Sequence, residues 1–162
     1  MATDPKRAPS RTQTAGTGAA FFALVFTAIY LAPGVSHLAS LPNKIDMGQQ
    51  AYYSAQQAYR GWALFGVALA LAGAANLWLA LANWRRGISP ALPIASVVLL
   101  LAGFGVFLVW VYPANAATQN WFSVPSNWIA WRRQWEYGHA ASAVLSFAAF
   151  CCTALAALAG RR

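Results

Sequence analysis

Long apolar runs alternate along the chain with polar segments of two quite different lengths. Four runs, at 18–35, 62–82, 91–111 and 140–160, contain no Asp, Glu, Lys or Arg. Each is 18 to 21 residues long, and a helix needs about 20 residues to cross the hydrocarbon core of a bilayer. Backbone groups inside lipid must be satisfied within the segment, so the runs predict helices. The first run is longer than the apolar stretch of a cleaved signal peptide and is not followed by a clean small-x-small site, so it is expected to stay as a span. The expectation is an all-α, polytopic bundle of four transmembrane helices.

The polar segments divide into one short and two long connections. Residues 83–90 join two antiparallel neighbours. Segments 36–61 and 112–139 hold 26 and 28 residues, a length more often functional than merely connecting. Both are expected to finish as helical extensions of spans 2 and 4. In the first, Asp46 is placed to cap and Gln49 to complete a capping box, and Tyr52, Ala55 and Tyr59 recur at helical spacing. In the second, Pro125-Ser126-Asn127 is a helix-start signal. Trp128, Trp131, Trp135 and His139 then fall on one face, with Arg132 and Glu136 as an i,i+4 pair beside it. Within span 2, Gly66, Ala70 and Ala74 recur every fourth residue, a spacing that lets transmembrane helices approach closely.

Composition agrees with lipid as the main solvent. The chain is 59% hydrophobic and 9% charged, against roughly 25% charged in soluble domains. The net charge of +8 raises nucleic acid as a partner. The basic residues sit in small groups between apolar runs and form no basic face, which argues against it. They read instead as topology signals and lipid contacts. Lys6, Arg7, Arg11, Arg85, Arg86, Arg161 and Arg162 fall on one side; Lys44, Arg60, Arg132 and Arg133 fall on the other. That bias predicts both termini on the cytoplasmic side of a bacterial-type inner membrane. Residues 1–17 lack an apolar period and read as a disordered basic tail. Cys151 and Cys152 are adjacent in a span and are expected to be small apolar filler.

Candidate chemistry gathers at the outer end. No charged residue lies within the runs, which disfavours an ion carrier or proton pump. Asn76, the most polar residue at depth, is expected to make an interhelical hydrogen bond. Both histidines, His37 and His139, mark the outer boundary, among tryptophans, tyrosines and basic residues. Part of that set is the ordinary interfacial belt of a membrane protein. A histidine at this level can also act as a general base. Paired across the bundle, the two could hold haem or, with Glu136 or Asp46, a metal ion.

At these residues the chain resembles a known group. Tyr112-Pro113-Ala114-Asn115, then Arg132-Arg133-Gln134-Trp135-Glu136-Tyr137-Gly138-His139-Ala140, is similar to the anthrone oxygenase-like family of small four-helix membrane proteins. Many of its bacterial members are known only as a domain of unknown function. Pro113, Asn115, Trp135 and His139 fill the family's Pro-x-Asn and Trp-x-x-x-His-Ala positions. The stretch from His37 through Leu41-Pro42-Asn43-Lys44-Ile45 to Tyr59-Arg60-Gly61-Trp62 resembles a bacterial branch, while both outer segments differ from the fungal members. The resemblance implies an oxidation of a lipophilic, polycyclic substrate without a cofactor. A shared fold does not by itself carry an activity across. Taken with the residues themselves, it puts His139, Arg133 and Asn115 forward as catalytic, and Trp135, Trp131, His37, Asn43, Lys44 and Arg60 as substrate-binding. The alternatives are a non-catalytic module binding a lipid, a quinone or a partner protein, and a small haem or metal protein.

Overall fold

The computed structural model describes residues 11–160, with side chains from Gly16 onward. Lys6, Arg7, Arg161 and Arg162 lie outside the described residues, as does most of the expected tail. The helices are α1 (Arg11–Lys44), α2 (Gln49–Gln56), α3 (Phe65–Arg85), α4 (Ala91–Val106), α5 (Tyr112–Ala117) and α6 (Trp128–Ala159). A π turn, Phe107–Val111, joins α4 to α5 without a break. Four stretches are long and apolar enough to cross a membrane: Gly16–Lys44, Trp62–Arg85, Ala91–Ala117 and Trp128–Ala159. Helix α1 packs on α3 and α6, and α4 packs on α3 and α6. The four long helices therefore follow one another around an up-and-down bundle.

Small residues pack inward and large ones face outward. Helix α3 buries Ala68, Ala72, Ala75 and Leu79, while Leu64 is 76% exposed and Val67, Trp78 and Trp84 also point out. Lipid solvates such a surface, so helix contact depends on close packing rather than on hiding apolar area. Gly34 of α1 shows the closeness. A Cβ there would lie 3.3 Å from Ala143 of α6. The expected stripe of Gly66, Ala70 and Ala74 is on the wrong face, since all three are exposed and a Cβ on Gly66 would meet nothing within 4 Å. The buried alanines are offset from that stripe because Asn76 turns its own face into the core.

At mid-depth one polar residue from each long helix joins a single network. Thr153 donates to Asn76 Oδ1 at 2.8 Å, and Asn76 Nδ2 donates to Thr27 Oγ1 at 3.1 Å. Ser96 and Thr153 hydroxyls lie 2.9 Å apart. Either hydroxyl can be the donor in that pair, and Thr153 Oγ1 also lies 3.0 Å from Ala149 O. All four residues are fully buried. The interhelical bond expected of Asn76 is present.

The ends of the bundle differ. At one end α3 closes in a Schellman motif: Ile88 N–H reaches Asn83 O, Gly87 N–H reaches Trp84 O, and Gly87 takes φ +71°. Arg86 donates to Gly160 O at 2.7 Å, placing a cation at the C-terminus of α6. At the other end the helices are longer than the apolar runs. Helix α1 begins by Arg11 and continues through Pro33 and Pro42 to Lys44, and α4 runs on through α5 to Ala117. Helix α6 starts at Trp128, as its Pro-Ser-Asn signal predicts, and is unbroken to Ala159. The stretch before α3 is instead the separate helix α2, set off by two tight turns about Gly61, φ +84°. Gly48 holds the N-cap of α2 and no side chain caps it. The expected Asp46–Gln49 capping box does not form, because α1 runs on to Lys44 and leaves Asp46 in the reversing turn.

Candidate functional site

Two helices bring the histidines together. His37 comes from the extended end of α1 and His139 from α6. Their rings stack with centroids 4.1 Å apart and 25° between planes. Trp135, one turn before His139, meets His139 edge-on at 4.2 Å and His37 at 4.9 Å. Tyr59 and Trp62 close the far side, 4.5 Å and 5.3 Å from His37. The result is a box of imidazoles walled by three larger rings.

A buried ion pair adjoins the box. Lys44 Nζ lies 3.0 Å from Glu136 Oε1, with the two side chains 4% and 0% exposed. It is an ion pair by distance but is not aligned as a hydrogen bond, so Lys44 keeps donor capacity. The ammonium also sits over the faces of Tyr59 and Trp135, at 4.8 Å and 5.1 Å. Tyr52 donates to the same Glu136 oxygen at 3.1 Å. Burial, reinforced by the Glu136 carboxylate, pushes the Tyr52 hydroxyl far above the ordinary tyrosine range, which keeps it a donor. Arg132 donates to Met47 O and covers Trp128 at 4.8 Å. The sequence pairing of Arg132 with Glu136 is thus replaced by Lys44 with Glu136, because α1 extends far enough to deliver its last residue there.

The second long segment forms the roof. The π turn inserts a residue into the α4–α5 helix and offsets the face that follows it. Asn115 Oδ1 there accepts from Trp135 Nε1 at 2.9 Å. Gln119, Asn120 and Trp121 then take φ of 50°, 55° and 66° in succession. Such left-handed backbone costs about 1–3 kcal/mol per residue. Thr118 holds the run, accepting from Trp121 N–H through its hydroxyl, and Asn115 O accepts from Asn120 N–H at 2.7 Å. The strain places the Trp121 ring against Tyr52 and Trp135, at 5.1 Å and 5.8 Å. Tyr53 OH donates to Ser123 O, joining the two segments.

Several buried polar atoms at this end have no hydrogen-bond partner among the described residues: His37 Nδ1, the Gln56 amide, Trp121 Nε1, Arg132 Nε and Glu136 Oε2. Each such group costs about 1–3 kcal/mol when left unpaired. Apart from Asn83, every residue with such an atom belongs to the aromatic end. The concentration marks a place suited to a polar group from outside the chain.

The candidates named from sequence divide accordingly. His37, His139, Trp135 and Lys44 meet in one cluster, and Trp131 packs beside it. Asn115 acts on the box through the Trp135 indole. Arg133 and Asn43 are exposed, and Arg60 is exposed over Phe122 at 5.4 Å. Helical phase explains the first of these: Arg132 and Glu136 occupy the buried face, and Arg133 is turned from it. Tyr52, Tyr59 and Trp62 join the site without having been put forward as site residues, and Glu136, named only as a possible metal ligand, joins it as the partner of Lys44. Glu136 carried a usable signal, since it is the one acid near His139 on the same helix.

The histidine pair does not fit haem. Two axial imidazoles present opposed nitrogens across an iron, whereas these rings lie face on face. Among the described residues no group of three or more His, Cys, Asp or Glu side chains is placed to hold a metal ion. Comparison with protein-family models gives no match, and neither the search of curated proteins nor that of solved structures returns one.

Proposed function

We propose that the protein binds a lipophilic small molecule bearing an acidic group, at an aromatic end that faces the outer side of a bacterial-type inner membrane. The observation that carries this reading is the stacked His37–His139 pair beside a buried, incompletely paired Lys44–Glu136 couple. A packed structural core has little use for so many unpaired polar atoms. In the reaction we assign, His139 takes a proton from a phenol or an activated carbon. Lys44 faces the resulting anion, and Trp135 and Tyr59 stack on the substrate rings.

The resemblance to anthrone oxygenase-like proteins supplies the reaction class. An anthrone deprotonated at the methylene carbon across the central ring from its carbonyl is oxidised by molecular oxygen, one anthrone and one O2 giving one anthraquinone and one water. Dioxygen is the oxidant and the source of the new oxygen atom. Anthrone added to proteoliposomes under air, followed by quinone absorbance, tests the reading. His139→Ala should lose about 10²–10⁴-fold in rate, the usual contribution of a general base, while keeping expression and thermal unfolding. Unchanged turnover in that variant removes His139 from the chemistry.

The direct packing of the two imidazoles favours one second reading, a non-catalytic module that holds a lipid or quinone. It predicts a ligand that copurifies unchanged and no turnover in the unsubstituted protein.

A further inference from the structure

Between α1 and α3 the lipid-facing surface carries an apolar groove of about 390 Å³. Phe26 and Ile29 line one wall, and Leu64, Phe65, Ala68 and Leu71 the other, with Gly61 at its lip. Residues 61 to 71 span roughly 15 Å along a helix axis, half the thickness of a hydrocarbon core. The groove therefore runs from the aromatic end toward mid-bilayer. Phe26 also packs against the buried cores formed with α3 and α6.

What leaves the top of the groove is a continuous path of rings. Phe65, which lines it, meets Trp62 edge-on at 5.6 Å. Trp62 meets Tyr59 at 4.8 Å and His37 at 5.3 Å. Lys44 Nζ stands over Tyr59 at 4.8 Å. The packed rings of Trp62 and Tyr59 thus separate the upper end of the groove from a buried ammonium. Two buried cations, Lys44 and Arg132, stand at that end against the single buried carboxylate of Glu136. The local balance is positive and suits one acidic head.

We propose that the α1–α3 groove binds the tail of a single-chain amphiphile whose acidic head reaches Lys44, with Trp62 as the partition between tail and head. This rests on the proposed function for the acid-accepting Lys44 and extends it, by giving that end a long-chain acid as a ligand and a lateral route from the bilayer. The left-handed Gly61 and the tight turn Trp62–Leu64 place that partition on a break between α2 and α3.

Palmitic acid carrying a mid-chain diazirine and a terminal alkyne is the probe. It is incorporated into proteoliposomes of the full chain, photolysed, and the labelled residues are mapped by mass spectrometry. Labelling should concentrate about tenfold on the groove residues Phe26, Phe65, Ala68 and Leu71 over the equally lipid-facing Val98 and Leu101 of α4. Unlabelled palmitic acid should compete and methyl palmitate, which lacks the acid, should not. Val67→Trp, at an exposed position on the groove wall, should abolish the enrichment without changing thermal unfolding, and Lys44→Met should remove the preference for the acid over the ester. Equal labelling of both faces, or equal competition by the ester, overturns the proposal. Groove labelling that survives alongside unchanged turnover in His139→Ala would instead leave the groove standing and remove the catalytic reading.

Discussion

Taking the ammonium from Lys44 leaves Glu136 fully buried without its ion-pair partner, with the Tyr52 hydroxyl as its hydrogen-bond donor. Breaking one side of a buried ion pair costs about 3–5 kcal/mol, whereas replacing both partners with apolar groups of similar volume is often close to neutral. Lys44→Met should therefore lower stability by about 3–5 kcal/mol, and Lys44→Met combined with Glu136→Leu should recover most of that loss. Unfolding in detergent, analysed as a double-mutant cycle, measures the difference. Equal and additive losses would mean that the two residues stabilise independently. The pair also illustrates why residue-level reading stops short of contacts. Lys44 and Glu136 are 92 positions apart in the chain, and Arg132 offered Glu136 a nearer partner on its own helix. Whether a carboxylate pairs within its helix or across the bundle depends on where another helix ends.

At the level of helices, the Thr27–Asn76–Thr153–Ser96 network is what pins four nearly featureless apolar rods in one register. Alanine-rich faces pack closely but slide, because one small residue resembles the next. Hydrogen bonds across helices in lipid are worth about 0.6 kcal/mol each and at most about 1.7. Asn76 makes two of them, so Asn76→Leu should cost about 1–2 kcal/mol. Cysteine pairs crosslinked between α1 and α3 should also spread from one register to several. A single sharp register in that variant would assign register to the alanine packing alone. The failure of Gly66, Ala70 and Ala74 as a contact stripe belongs here. A four-residue spacing identifies a face of small residues but not whether a neighbour lies against it, and the buried polar residue overrode it.

For the molecule as a whole, the proposed orientation is a testable consequence of the charge pattern in the sequence. Arg85 and Arg86 lie at the end opposite the histidine box, and the positive-inside bias of the sequence is the basis for proposing that this end faces the cytoplasm. Alkaline phosphatase joined after the C-terminus should be inactive, and the same enzyme inserted at Asn120 should be active. The reverse pattern would turn the aromatic end to the cytoplasm and move the proposed site with it.

The apolar runs, read alone, determined that four helices cross a bilayer, because the cost of an unsatisfied backbone in lipid leaves no other local structure for them. They also located the candidate chemistry at one end, since charged residues are excluded from the runs, and both histidines and the two long polar segments fall at that end. Tertiary structure alone decided which of those residues share a site. The continuation of α1 through two prolines, the π turn before Asn115 and the left-handed run at Gln119–Trp121 are cooperative outcomes of packing. They bring His37 onto His139 and Lys44 onto Glu136, and turn Arg133 and Asn43 out to the surface. Each reflects a balance between a local conformational cost and a distant contact, and only one side of that balance is written in the neighbouring residues.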